Sequence, residues 1–126
     1  MKPTILLIED HEIVRKGIRR LLEGPTREIC GEAANGEEAI QKATLLKPDL
    51  ILTDYYVPGI RGAELVSRLR AVLPKSRIVV LTMDDSIVQD AKNAGADACI
   101  FKGDVVASLN QTIARVLLGR QLADGW

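Results

Sequence analysis

The sequence predicts a doubly wound α/β domain, a five-stranded parallel sheet with helices on both faces. Five short β-prone runs alternate with five segments of helical period, the pattern of strands joined by crossover helices. Several runs are continuously apolar rather than alternating, as strands covered on both faces should be. The chain has 126 residues and is 47% hydrophobic, which suits one buried core and leaves little room for a second domain.

Thr4-Ile5-Leu6-Leu7-Ile8 is the first strand. Ile13, Val14, Ile18, Leu21 and Leu22 then recur at helical spacing, and Gly24-Pro25 stops that helix. Glu28 to Ala33 reads as a second strand. Asn35 caps a helix carrying Ala39, Ile40, Ala43 and Leu46. After Pro48 comes the strand Leu50-Ile51-Leu52-Thr53, then a helix carrying Leu65, Leu69 and Val72 that ends before Pro74. Ile78-Val79-Val80-Leu81 is the fourth strand. A short helix around Ile87 to Ala94 is closed by Gly95, and Ala98 to Phe101 is the fifth strand. The last helix carries Val105, Leu109, Ile113, Val116 and Leu117, with Gly119 expected after it. The domain is assigned to residues 1–120, with 121–126 a tail or the start of a linker.

Composition excludes several function classes. Lys+Arg and Asp+Glu both total 17, so no net basic field draws in nucleic acid. Cys30 and Cys99 lack metal-ligand spacing and read as reduced, packed thiols. The apolar run at the N-terminus meets Glu9 and Asp10 too soon for a signal peptide, and nothing reaches transmembrane length. The expectation is a cytoplasmic protein with no membrane partner.

In parallel sheets of this kind, ligands sit beyond the carboxyl ends of the strands, where the strand order reverses. Glu9 and Asp10 follow the first strand, Asp54 the third, Thr82 the fourth and Lys102 the fifth. All five should converge on one edge. Three carboxylates in one pocket repel one another, and a hard divalent ion relieves that repulsion. Mg²⁺ suits a site with few carboxylates and several waters. A carboxylate, Mg²⁺, a lysine and a hydroxyl together suit phosphoryl transfer, with Asp54 able to attack phosphorus and form an acyl phosphate. The first turn, Glu9-Asp10-His11-Glu12, is no Gly-rich anion cradle. His11 reads as an ordinary polar residue at a helix start. Of the adjacent Tyr55 and Tyr56, one should pack and the other be partly exposed.

These residues, with Pro58 and Gly62 after Asp54, resemble the receiver domain of two-component response regulators from Thr4 to about Gly119. Ile8-Glu9-Asp10-His11, Gly31-Glu32-Ala33-Ala34-Asn35-Gly36 and Lys102-Gly103-Asp104 look most like the LuxR/NarL type. The resemblance implies a flavodoxin-like sheet of order 2-1-3-4-5. It also implies that Asp54 is the phosphoacceptor, with Thr82 as switch hydroxyl and Lys102 as the pocket's cation. Asp10, Asp54 and the backbone carbonyl of Tyr56 would hold Mg²⁺, with Glu9 helping through water. The implied partners are a sensor histidine kinase and a second copy in a homodimer. DNA would be reached only through a C-terminal effector domain absent from this chain. The chain would catalyse only its own phosphorylation and dephosphorylation.

Two positions depart from the family pattern. Cys99 stands three residues before Lys102, where most receivers carry an aromatic residue. The stretch from Thr82 to Gly95 is also short, so the fourth helix should be short or displaced. Both changes fall on the output face, so a stand-alone or pseudo-receiver interaction domain is the second reading. A phosphatase with an aspartyl nucleophile is disfavoured, because Tyr56 stands where that class places its general acid.

Overall fold

The computed structural model describes residues 2–122. The strands are β1 (Thr4–Ile8), β2 (Glu28–Ala33), β3 (Leu50–Asp54), β4 (Arg77–Thr82) and β5 (Ala98–Phe101). The helices are α1 (Glu12–Leu22), α2 (Gly36–Leu46), α3 (Gly62–Val72), α4 (Val88–Ala94) and α5 (Val105–Leu122). All neighbouring strands are parallel, in the order β2-β1-β3-β4-β5. This is the five-stranded, doubly wound, flavodoxin-like arrangement that the sequence predicts.

Side-chain alternation divides the core into two layers. Leu6, Ile8, Ile51, Ile78 and Val80 point to one face and pack with Ala39 and Ala43 of α2, Leu65, Val66 and Leu69 of α3, and Ala91 of α4. Ile5, Leu7, Leu50, Leu52, Val79, Leu81 and Ile100 point to the other, against Ile18 and Leu22 of α1 and Leu109, Ile113 and Val116 of α5. Every residue of β3 is buried, which explains why its sequence does not alternate.

Local chemistry sets the helix ends. The Asn35 side chain accepts from the Glu38 N–H at 2.8 Å, and the Glu38 carboxylate accepts from the Ala34 N–H at 2.7 Å. The first serves a donor at the start of α2 that the helix leaves unpaired, and the second ties the turn before it to the first turn of the helix. Beyond α4, Gly95 takes a φ of 120°, a conformation open to glycine. Arg70 of α3 donates twice to the Gly95 carbonyl, at 3.1 and 2.8 Å, and pairs with Asp97 at 2.8 Å.

One expectation changes. The last helix does not stop at Gly119 but runs to Leu122. Gly119 is buried, and about 1 kcal/mol of lost helix propensity does not outweigh packing along α5. The expected tail therefore begins within the helix, and the rest of it lies outside the described residues. The fourth helix is short, as expected. It has seven residues and is preceded by a single 3₁₀ turn at Asp85–Ile87.

Candidate functional site

The strand order reverses between β1 and β3, which both run to the same edge of the sheet. Glu9 leaves β1 there, and Asp54 is the last residue of β3. Both are held inside, Glu9 1% and Asp54 8% exposed. Lys102, one residue past β5, reaches across the intervening strand ends. Its ammonium donates to Asp54 Oδ2 at 2.8 Å and to Glu9 Oε1 at 3.2 Å.

Further contacts fix the Glu9 carboxylate. Its Oε2 accepts from the His11 N–H at 3.0 Å, and Arg15 donates to its backbone carbonyl at 2.8 Å. Burial pulls the Lys102 ammonium towards neutrality. Its hydrogen bonds and charge pairing with Asp54 and Glu9 outweigh that and raise its pKa above the ordinary lysine value. Lys102 therefore stays charged at neutral pH.

The other expected residues lie at the same edge in different postures. Asp10 is exposed beside the buried Glu9, so the acidic pair divides into an inner and an outer carboxylate. Ligand atoms of Glu9, Asp10 and His11 lie within 4.8 Å of one another. Thr82 is buried at the end of β4, and its hydroxyl is turned to the following loop. It accepts from the Asp84 N–H at 3.0 Å and donates to the Asp84 carbonyl at 3.1 Å. Asp84 caps the 3₁₀ turn by accepting from the Ser86 N–H at 2.9 Å, and hydrogen bonds to Ser86 lower its pKa. Tyr55 is buried and Tyr56 is 57% exposed. The rings meet edge to face, with centroids 5.0 Å apart.

These residues suit a hard divalent ion. Glu9, Asp10 and Asp54 carry three negative charges, and Lys102 offsets only one. The three carboxylates offer oxygen donors, the kind Mg²⁺ prefers. Sequence reasoning gave no role to His11 or Arg15, which both brace Glu9. The place of His11 beside the acidic pair was a visible signal, whereas Arg15 reaches Glu9 only through the turn into α1.

The chain belongs to the response regulator receiver domain family, whose family model matches residues 5–114. Its relatives are of the LuxR/NarL type. It is 39% identical over 118 residues to the nitrate/nitrite response regulator protein NarL of Escherichia coli strain K12. That match covers 88% of this chain and 55% of the relative, so the chain spans about half that protein's length. Among solved structures, it is similar to a LuxR-family two-component response regulator from Aurantimonas sp. SI85-9A1. The TM-score is 0.89 and the identity 34%, over 95% of this chain and 88% of the other. The signal receiver domain of a NarL response regulator from Mycobacterium tuberculosis superposes with a TM-score of 0.86 at 26% identity, covering 94% and 98% of the two chains. No helix among the described residues is long and apolar enough to cross a membrane.

Proposed function

We propose that this chain is a phosphoacceptor switch, phosphorylated on Asp54 by a sensor histidine kinase in a Mg²⁺-dependent reaction. The observation that carries the reading is the ammonium of Lys102 held 2.8 Å from Asp54 Oδ2 at the β1/β3 switch point. The buried carboxylate has a cation beside it that can offset phosphoryl charge. An Asp54 oxygen forms an O–P bond as the P–N bond of the donor phosphohistidine breaks. The departing imidazole keeps the electron pair and takes up a proton. Lys102 offsets charge on the phosphoryl oxygens. Asp10, Asp54 and the Tyr56 carbonyl would hold Mg²⁺, with Glu9 acting through water; the ion's chemistry there is neutralisation of oxygen charge.

Thr82 then exchanges its bonds to Asp84 for one to the phosphoryl group, and the face formed by α4, β5 and α5 changes. Added charge thus biases a two-state element. The output we propose is transcription control through a DNA-binding effector domain in a longer polypeptide, with the receiver free to form a homodimer. The NarL-type relatives support that part. The setting is cytoplasmic, and the only catalysis is the domain's own phosphorylation and dephosphorylation. Cys99 and the short α4 favour one second reading, a pseudo-receiver interaction domain with altered output.

Transfer from a kinase tests the phosphoacceptor reading. Incubated with an autophosphorylated sensor kinase and Mg²⁺, the chain should take up label that Asp54→Asn does not. Equal labelling of the two proteins, or of neither with any cognate kinase, would contradict the proposal.

A further inference from the structure

The backbone of Glu9 is gripped as closely as its side chain. Its N–H donates to the Ala33 carbonyl at 2.9 Å, and its own carbonyl accepts from Arg15 at 2.8 Å. That carbonyl lies in the planar peptide unit that joins Glu9 to Asp10. A bond that fixes this plane therefore sets the direction in which the Asp10 backbone leaves β1. Asp10 is exposed, so packing does not set that direction.

Arg15 reaches the plane from the first turns of α1, and directed bonds in turn aim it. An open cavity of about 300 Å³ borders its side chain. Its Nε donates to Glu32 Oε1 of β2 at 2.8 Å, while an outer guanidinium nitrogen makes the bond to Glu9. Glu32 is itself fixed. Arg19, one turn further along α1, pairs with its other carboxylate oxygen, and Lys42 of α2 donates to its carbonyl. The rigid, planar donors of a guanidinium span two acceptors in this way, whereas an ammonium is a point charge on a flexible stem.

We propose that Arg15 is a positioning residue for divalent-cation binding: aimed by Glu32, it fixes the Glu9–Asp10 peptide plane and so presets the Asp10 carboxylate. This rests on the proposed metal role of Asp10. Groups that orient a metal ligand typically carry about 10- to 100-fold in affinity. Charge alone predicts the opposite sign, because a cation beside a cation site repels the incoming ion and its removal should tighten binding.

Isothermal titration of the full chain with MgCl₂, beside amide NMR of the metal-free protein, tests this. In Arg15→Met the Mg²⁺ dissociation constant should rise about tenfold, and the Asp10 amide should be displaced before any Mg²⁺ is added. Glu32 keeps Arg19 in that variant, so the fold should hold. Arg15→Lys keeps the charge without the fork and should also bind Mg²⁺ more weakly than the wild type. Unchanged or tighter binding in Arg15→Met, an unmoved Asp10 amide, or wild-type affinity in Arg15→Lys would overturn the positioning role alone. If Arg15→Met does not fold, Arg15→Lys decides by the same two readouts. A wild type that binds no Mg²⁺ would overturn the metal reading, and the positioning role with it.

Discussion

Lys102 Nζ lies 2.8 Å from Asp54 Oδ2 and 3.2 Å from Glu9 Oε1, so one ammonium bridges two nearly buried carboxylates from different strand ends. The Lys102 side chain is 24% exposed and that of Glu9 1%.

Lys102→Met keeps the stem and removes the charge, stranding two carboxylates. Breaking a buried pair costs roughly 3–5 kcal/mol, and the partial exposure of Lys102 brings the expected loss to about 2 kcal/mol by urea denaturation at pH 7. The folded-state pKa of Lys102 is raised, so the stabilisation is fully present below the ordinary lysine value. The gap between wild type and variant should stay constant from neutral pH to about pH 10 and close above it. A gap that closes between pH 6 and pH 9 would contradict this assignment.

Divalent cation should stabilise the fold. With Mg²⁺ at about one hundred times its dissociation constant, the gain is about 2.7 kcal/mol. Asp10→Asn should lose most of it while folding normally, because Asp10 is exposed. Thermal melts with and without MgCl₂ check this, and an unchanged Mg²⁺ shift in Asp10→Asn would remove Asp10 from the metal set.

Tyr56 is exposed two residues after Asp54 and meets the Tyr55 ring edge-on. If Asp54 is phosphorylated as proposed, the Tyr56 ring is expected to shield the acyl phosphate from water. Tyr56→Ala should shorten the phospho-Asp54 half-life several-fold, followed by loss of label after the donor is removed. An unchanged half-life would discard the shielding.

Gly36 opens α2 against the loop after β3, where its N–H donates to the Pro58 carbonyl at 3.0 Å. A Cβ at Gly36 would press into the backbone carbonyl of Ile60, which cannot rotate aside. Gly36→Ala should therefore cost about 2–3 kcal/mol. Gly17 lies mid-helix in α1 with open space around it, and Gly17→Ala should stabilise by about 0.5–1 kcal/mol. Paired urea titrations decide, and equal effects would refute the distinction.

The sheet was legible because buried strands write themselves as apolar runs, as Leu50-Ile51-Leu52-Thr53 does. The site was legible because this topology brings strand ends together, so Glu9, Asp54, Thr82 and Lys102 could be collected without knowing any contact. Three features were not legible. Gly119 looked like a stop, but burial along α5 overrides a propensity of that size. The grip of Arg70 on Gly95 and Asp97 spans separate elements and leaves no local pattern. The division of the acidic pair into buried Glu9 and exposed Asp10 depends on how the chain turns into α1. The tyrosine pair fell between these cases. One ring was expected inside and one out, but only the packing against Gly62 and the α4 layer fixes Tyr55 as the inner one.

The most direct test of the central claim is intact mass spectrometry after incubation with a small acyl phosphate and Mg²⁺. The expected result is a mass gain of one phosphoryl group, mapped to Asp54, dependent on Mg²⁺ and absent from Asp54→Asn. No gain in the wild type under any Mg²⁺ concentration, or the same gain in Asp54→Asn, would contradict it.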